Sequence, residues 1–189
     1  MGTIGVLALQ GDFAKHIELL RRLGREARAV RTAIEIQELA ALIIPGGEST
    51  TIGMLMERFG LADAVRQRVR CGMPLFGTCA GAILMAAEIV GSDQPRLALM
   101  DMTVQRNAYG RQIESFEAEL NLGAASPLTA VFIRAPRIIR IGNEVRVLAA
   151  FESDPVLVQQ DHLLAATFHP ELTDSSAIHA HFLALIDRA

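Results

Sequence analysis

Two short motifs contain the residue types needed for nucleophilic catalysis. The first, Gly-Thr-Cys-Ala-Gly at residues 77–81, lies between an apolar segment and a predicted helix. This is the pattern of a nucleophile elbow, with Cys79 in the place of the usual serine. The glycines permit a tight turn, the helix start favours a thiolate, and the backbone N–H of Ala80 is placed to bind an oxyanion. The motif alone is equally compatible with a small buried cysteine in a strand-to-helix turn.

The second motif is His-Pro-Glu at residues 169–171, directly after the apolar segment 163–168. Pro170 opposes a helix and favours extended backbone, in which residues two apart point to the same side. We therefore expect Glu171 to orient the imidazole of His169. A lone His-x-Glu is usually a surface pair. Together with Cys79, however, it completes a set of nucleophile, base and orienting carboxylate.

A third motif, Pro-Gly-Gly-Glu-Ser-Thr, occupies residues 45–50 after a short apolar segment. Consecutive glycines let backbone N–H groups approach a ligand closely, so an N–H near Gly47 is a candidate second oxyanion donor. The alternative is a plain turn in which Ser49 caps the next helix. A phosphate-binding loop fits less well, because the lysine of such loops is missing.

The other cysteine and histidines predict no additional catalytic or metal site. Cys71 has no elbow around it and is predicted to be a bystander. His179 and His181 are two apart on a predicted helix and do not share a face, so no metal is expected there. His16 lies on an amphipathic segment and is predicted to face the surface or a partner.

Composition restricts the class of protein. The chain has 189 residues, 51% hydrophobic and 21% charged, with a net charge of −3. These values are typical of a globular protein, and one domain spanning residues 1–189 is predicted. The charge provides no basic field for nucleic acid or an anionic membrane. With two cysteines, a disulfide scaffold is excluded and a cytoplasmic location is expected. No targeting or transmembrane segment is recognised.

The pattern of apolar segments predicts an α/β fold. In the first half, strands alternate with helices, which indicates a parallel sheet with helices on both faces. After about residue 93, short strands with short turns predict an antiparallel appendage, closed by a helix from about Ser175. The predicted strands are 3–9, 26–31, 41–44, 74–78, 103–107, 116–120, 128–134, 137–141, 145–151, 156–159 and 163–168. The predicted earlier helices follow Asp12 and span 49–58, 61–70 and 80–89.

Taken together, the three motifs resemble those of the triad (class I) glutamine amidotransferases, and more closely the glutaminase subunits of pyridoxal 5′-phosphate synthase. The most specific matches are Arg-Asn-Ala-Tyr-Gly-Arg-Gln at residues 106–112 and Phe-Ile-Arg-Ala-Pro at residues 132–136. Gln105 and residues 159–162 depart from the expected pattern. The matching segments run in order along nearly the whole chain. The resemblance implies a flavodoxin-like three-layer α/β sandwich with a mostly parallel central sheet.

The resemblance also implies an activity, the hydrolysis of L-glutamine through a cysteinyl thioester. Cys79 would be the nucleophile, His169 the acid and base, and Glu171 its orienting group. Backbone N–H groups near Gly47 and Ala80 would hold the oxyanion, with Gln10 close by. No cofactor and no metal are implied. The implied glutamine-binding residues are Gly46, Gly47, Glu48, Arg106, Ile133 and Arg134.

A single domain leaves no room for a second active site that uses ammonia. The resemblance therefore implies a hetero-oligomer with a barrel-shaped synthase subunit that makes pyridoxal phosphate.

Three alternatives remain open. In the first, the chain is a glutaminase for another synthase, such as imidazole glycerol phosphate synthase. In the second, it is a non-catalytic sensor or chaperone-like protein with Cys79 as an oxidation-sensitive thiol. In the third, it is a flavodoxin-like cofactor binder. The segment at residues 106–112 argues against the first, and the presence of both His169 and Glu171 argues against the second. The absence of tryptophan and the single Tyr109 argue weakly against the third.

Overall fold

The computed structural model describes residues 2–106, 115–122 and 127–188. Residues 107–112 of the Arg-Asn-Ala-Tyr-Gly-Arg-Gln segment lie outside this part. The described helices are α1 (Phe13–Arg22), α2 (Ala33–Gln37), α3 (Ser49–Arg58), α4 (Leu61–Arg70), α5 (Ala80–Met85) and α6 (Ala177–Ile186). The described strands are β1 (Ile4–Leu7), β2 (Ala27–Val30), β3 (Ala41–Ile44), β4 (Leu75–Thr78), β5 (Ala86–Ile89), β6 (Met100–Gln105), β7 (Ser115–Leu120), β8 (Leu128–Ile133), β9 (Arg137–Ile141), β10 (Arg146–Phe151), β11 (Asp154–Gln160) and β12 (Leu163–Ala166).

The main sheet of the described chain has seven strands in the order β10-β11-β12-β4-β3-β1-β2. The five strands from β12 to β2 are parallel, and β11 and β10 extend the sheet in antiparallel fashion. Numbered by their own succession, the parallel strands have the order 2-1-3-4-5, which is the flavodoxin-like order. In such sheets ligands bind at the carboxyl ends of the strands, where the strand order reverses. That edge carries the turns after β1, β3 and β4.

Helices cover both faces of this sheet, because its central strands are apolar on both sides. In β3, Leu42 and Ile44 belong to one buried cluster, and Ala41 and Ile43 belong to the other. The first cluster includes side chains of α3, α4 and α5, and the second includes side chains of α1 and α6. The predicted three-layer sandwich is confirmed.

Two smaller sheets form the antiparallel additions. Strands β7 and β8 pair as an antiparallel hairpin. In the other sheet, β6 pairs with β9 antiparallel but with β5 in parallel. The predicted antiparallel appendage is therefore confirmed, with one parallel strand pair within it.

The structure corrects the predicted elements at two places. The predicted helix 80–89 ends at Met85, and Ala86–Ile89 is strand β5. Pairing with β6 gives the backbone N–H and C=O groups of Ala86–Ile89 their hydrogen-bond partners. This outweighs the helical preference of an apolar segment. Helix α2 was not expected, since it has only five residues. Its sequence signal is a capping box, in which Thr32 and Glu35 bond to each other's backbone N–H groups.

Other boundaries follow local signals closely. Asp12 caps α1, as expected, by accepting a hydrogen bond from the backbone N–H of Lys15 at 3.4 Å. Helices α3 and α4 have the predicted bounds. Among the described residues, no helix is both long enough and apolar enough to cross a bilayer.

An aromatic contact fixes α6 to the strand that leads into the elbow. Phe182 of α6 and Phe76 of β4 are both fully buried, with ring centroids 5.5 Å apart. Because β4 is central in the sheet, this contact ties the last helix to the middle of the fold.

We expect Phe182→Ala to lower the free energy of unfolding by about 3–5 kcal/mol, since it leaves a cavity against Phe76. The matched control is Phe59→Ala at a side chain that is 56% exposed, for which a change within about 0.5 kcal/mol is expected. Chemical denaturation followed by circular dichroism measures both. Equal losses in the two variants would contradict this description of the core.

Candidate active site

The elbow after β4 places Cys79 in an unusual backbone conformation. Its φ of 48° and ψ of −101° lie outside the regions that non-glycine residues normally adopt. The glycines on either side are required by close packing. A Cβ at Gly77 would lie 2.6 Å from the carbonyl carbon of Gly81, and one at Gly81 would lie 2.1 Å from the carbonyl oxygen of Ile44. The predicted elbow is therefore present in the structure.

Neighbouring strands hold the cysteine backbone in this position. The N–H of Cys79 donates to the carbonyl of Ala166 at 2.8 Å, and its own carbonyl accepts from Ile83 at 3.2 Å in the first turn of α5. The thiol is 3.8 Å from the carbonyl oxygen of Ile133, to which it can donate. Cys79 is 6% exposed. The sulfur thus lies at a helix N-terminus, where a negative charge is favoured.

His169 follows β12, the neighbour of β4, and is paired with Glu171. Nδ1 of His169 lies 2.7 Å from Oε1 of Glu171. The expected contact is present, but the local reason was wrong. Residues Pro170–Leu172 form a short 3₁₀ helix rather than extended chain, consistent with proline's preference for the first position of a helix.

Close packing also brings the glycine turn after β3 against the imidazole. A Cβ at Gly46 would lie 2.3 Å from Cε1 of His169, and one at Gly11 would lie 1.7 Å from the carbonyl oxygen of Gly46. Side chains at either position would push the turns after β1 and β3 away from the histidine. These glycines therefore allow the carboxyl ends of β1, β3 and β12 to meet.

The charges of the histidine and the carboxylate support each other. Burial has the largest single effect on the pKa of His169 and lowers it. Hydrogen bonds and charge attraction from Cys79 and Glu171 oppose burial and raise the pKa to about 10. Burial raises the pKa of Glu171, but its hydrogen bond with His169 and the nearby His16 lower it overall. The arrangement favours an ionised Glu171 and a protonated His169 beside the sulfur.

The turn after β3 is organised by Glu48 and Gln10. Glu48, and not Ser49, caps α3, because its carboxylate accepts from the backbone N–H groups of Thr50 and Thr51. The backbone N–H of Glu48 donates to Oε1 of Gln10 at 2.9 Å. Burial raises the pKa of Glu48, but hydrogen bonds from Thr51 and Thr50 lower it to about 2. Glu48 is therefore charged at neutral pH.

Arg106 faces this turn across the cleft and is held by three oxygens. Its guanidinium donates to Oε1 of Gln94 at 2.5 Å, to Oγ1 of Thr50 at 3.0 Å and to Oε1 of Glu48 at 3.2 Å. Gln94 is only 7% exposed and also faces Ser49. Gln94 was not predicted from the sequence, since it lies in a segment without a recognisable motif.

These side chains surround one cleft of about 310 Å³. Eight of the predicted site residues contribute to its lining, namely Gly46, Gly47, Glu48, Cys79, Arg106, Ile133, Arg134 and His169. The other three lie directly behind it. Glu171 contacts the imidazole, Ala80 follows the cysteine, and Gln10 bonds to the turn.

One histidine expectation is wrong. His16 does not face the surface or a partner but is fully buried against Glu171, with its Nε2 3.3 Å from Oε2. The amphipathic pattern of α1 placed His16 at the edge of the apolar face, and tertiary packing buried it. Within the described ranges, no group of three or more His, Cys, Asp or Glu side chains is placed to hold a metal ion. Cys71 is exposed and unpaired with another cysteine.

Comparison with known proteins agrees with this arrangement. The model of the SNO glutamine amidotransferase family matches residues 6–187. The chain belongs to the SNO glutamine amidotransferase family. Among curated relatives of this family, a protein of Thermus thermophilus called "Pyridoxal 5′-phosphate synthase subunit PdxT" is 55% identical over 97% of both chains. A protein of Niallia circulans with the same name is 54% identical over 98% of both.

Solved structures share this fold at both high and low sequence identity. A structure described as "Crystal structure of glutamine amidotransferase" superposes with a TM-score of 0.95 at 53% identity, covering 98% of this chain and 100% of that one. A structure described as "Structure of PurLQS from Thermotoga maritima" has a TM-score of 0.70 at 14% identity, covering 100% of this chain and 97% of that one. The latter likeness concerns the fold alone.

We expect Cys79→Ala to lower the pKa of His169, because the substitution removes a partner that favours the imidazolium. In the wild type, protonation of His169 in the folded state contributes stability that is fully present below pH 6.5 and is lost as the pH rises towards about 10. In Cys79→Ala this contribution should be lost at a lower pH. Titration of the imidazole by NMR measures the pKa, with Cys71→Ala as the control. Identical titration of His169 in the wild type and Cys79→Ala would refute the coupling.

Proposed function

We propose that Cys79, His169 and Glu171 carry out the hydrolysis of L-glutamine to L-glutamate and ammonia. The observation that carries this proposal is the pairing of His169 and Glu171 at 2.7 Å beside the elbow cysteine. The same cleft is lined by the guanidinium of Arg106 and the carboxylate of Glu48. The curated relatives are named as subunits of pyridoxal 5′-phosphate synthase. The chain is accordingly a glutaminase that supplies ammonia for vitamin B6 synthesis.

The first half of the reaction forms a thioester. The thiolate of Cys79 attacks the side-chain amide carbon of glutamine, and the carbonyl oxygen becomes an oxyanion. Backbone N–H groups of Gly47 and Ala80 stabilise this charge. When the tetrahedral intermediate collapses, the C–N bond breaks and the imidazolium of His169 gives its proton to the departing nitrogen, which leaves as ammonia.

The second half regenerates the enzyme. His169, now neutral, takes a proton from a water molecule as the water attacks the thioester carbon. Collapse of this second intermediate breaks the C–S bond, releases glutamate and returns the thiolate of Cys79 with a protonated His169. Throughout, Glu171 holds Nδ1 of the imidazole, so that Nε2 serves the reaction.

The cleft carries the charges that an α-amino acid requires. In this proposal Arg106 binds the α-carboxylate of glutamine, for which a guanidinium is well suited. Glu48, which is ionised, binds the α-ammonium group. Gln94 and Thr50 hold the guanidinium before substrate arrives, which lowers the entropy cost of binding. The turn at Gly46, Gly47 and the backbone at Ile133 and Arg134 complete the pocket.

The product requires a second active site. Ammonia released into water at neutral pH is mostly protonated and is then no nucleophile. We therefore propose that residues 1–189 form one amidotransferase domain, docked on a barrel-shaped synthase subunit in the cytoplasm. Two unpaired cysteines, one of them exposed, fit a reducing compartment. Gln10 and the Gly46-Gly47 turn are the segments that docking is expected to adjust.

We expect Cys79→Ala to reduce glutamine hydrolysis below roughly one thousandth of the wild-type rate, since the nucleophile is lost. The fold and binding to the synthase subunit should be unchanged, and ammonium salt should restore product formation by the complex. Cys71→Ala is the matched control and should hydrolyse glutamine normally. Glutamate release measured for both variants checks this, and substantial activity of Cys79→Ala would refute the mechanism.

Hydrolysis of glutamine is also expected to be slow without the synthase subunit and faster with it. The reason is that docking would complete the oxyanion site through Gln10 or the Gly46-Gly47 turn. Steady-state glutaminase rates, measured as the synthase subunit is added in increasing amounts, test this expectation. Equal rates with and without the synthase subunit would rule out activation.

A further inference from the structure

Two histidines are buried behind the glutaminase residues and have no part in the mechanism above. His16 lies on α1 and His179 on α6, and both are fully buried. Neither contributes to the lining of the glutamine cleft. Burying an imidazole without a polar partner is costly, so a buried pair requires a physical explanation.

The two histidines continue the line of contacts that begins at Cys79. Oε1 of Glu171 is taken by His169, and Oε2 is 3.3 Å from Nε2 of His16. Nδ1 of His16 is in turn 2.9 Å from Nε2 of His179. The approach of His16 to Oε2 falls short of hydrogen-bond geometry, and among the described residues Oε2 is a buried oxygen with no hydrogen-bond partner. Thr78, the residue before Cys79, also approaches Nε2 of His16, at 3.4 Å.

These contacts determine which nitrogen of each ring carries hydrogen. An ionised carboxylate can only accept, so a hydrogen on Nε2 of His16 is electrostatically favoured beside Oε2 of Glu171. Nδ1 of neutral His16 is then an acceptor, and the 2.9 Å contact requires Nε2–H on His179. This leaves Nδ1 of His179 without hydrogen, and it is the ring nitrogen that has no partner in the described chain.

Both rings are neutral in this arrangement. Burial lowers the pKa of His16, with attraction to Glu171 as the main opposing effect. Burial, followed by repulsion from His16, lowers the pKa of His179 to about 3. The other charged groups that act on the pair are Asp12 on His16, Arg22 on His179, and His169 on His16.

We infer that His16 is a positioning residue for glutamine hydrolysis, with the positive end of its Nε2–H facing Oε2 of Glu171 while His179 fixes the tautomer of His16. This inference rests on the proposed function, because it assigns the carboxylate of Glu171 the orienting role. Glu171 thus has an imidazole against each oxygen, and cannot rotate away from His169 without losing a buried polar contact.

Removing the donor from His16 has a defined consequence. In His16→Leu, Oε2 of Glu171 loses the polar ring that faces it, so the carboxylate holds a proton more readily and its pKa rises. A protonated Glu171 orients His169 poorly. As the pH is lowered, His16→Leu should therefore lose activity at a higher pH than the wild type does. This acidic limb of the pH profile is the quantity to compare. KM for glutamine should stay within about twofold, since His16 does not contact the cleft.

The test compares four full-length proteins, each with its cognate synthase subunit: wild type, His16→Leu, His16→Gln and His181→Leu. Loss of this buried polar contact with a charged group predicts a kcat about tenfold lower for His16→Leu. The amide nitrogen of His16→Gln can reach the position of Nε2, so this variant should recover much of kcat and the wild-type acidic limb. His181→Leu is the matched control, at a histidine whose Nε2 bonds to Gln159 at 2.9 Å. This variant should leave kcat and the acidic limb unchanged.

Two results would overturn the inference. One is a folded His16→Leu protein with wild-type kcat and an unmoved acidic limb. The other is equal impairment of His16→Leu and His16→Gln with the limb unmoved, which would indicate packing alone. If His16→Leu does not fold, ¹⁵N NMR of the wild-type histidines decides: hydrogen on Nε2 of His16 supports the inference and hydrogen on Nδ1 refutes it.

The failure of this inference is separable from failure of the proposed function. Cys79→Ala serves as the reference in the same assay. If Cys79→Ala is inactive while His16→Leu behaves as wild type, only the positioning role of His16 is wrong. If Cys79→Ala remains active, the proposed function itself is wrong.

Discussion

The strained backbone at Cys79 is the constraint on which the site depends. A non-glycine residue with φ of 48° costs of order 1–3 kcal/mol and persists only where its surroundings hold it. Here β4 lies between β3 and β12 in the middle of the sheet, and the backbone of Cys79 bonds to both β12 and α5. The glycines at 77 and 81 permit the contacts that hold it, so packing around the elbow places the sulfur in the cleft.

A second requirement is that a buried carboxylate remain charged. Glu171 is 5% exposed, and an unpaired charge in such surroundings would be neutralised. The imidazole of His169 on one oxygen and His16 facing the other compensate for the lost hydration. The carboxylate in turn keeps His169 protonated beside the thiol. The proposed catalytic residues and the residues packed behind them are therefore parts of one electrostatic arrangement.

Local sequence signals predicted much of the fold correctly. Apolar segments correctly predicted the parallel strands, Asp12 correctly predicted the start of α1, and the predicted bounds of α3 and α4 were also correct. Predictions failed where the partner was distant in the chain. The apolar segment after Met85 became β5 because it pairs with β6, and His16 became buried because α1 packs against the region of Glu171 and α6.

Local sequence patterns were enough to predict the type of chemistry and the type of fold. An elbow cysteine, a His-Pro-Glu motif and a Gly-Gly turn have recognisable local patterns, because each depends on backbone conformations that few residue types allow. How these groups meet depends on tertiary packing. The hydrogen bond from Arg106 to Gln94 and the contact of His16 with Glu171 both require neighbouring strands and packed helices. Such contacts join residues whose separation along the chain carries no local signal, and burial then sets their charge.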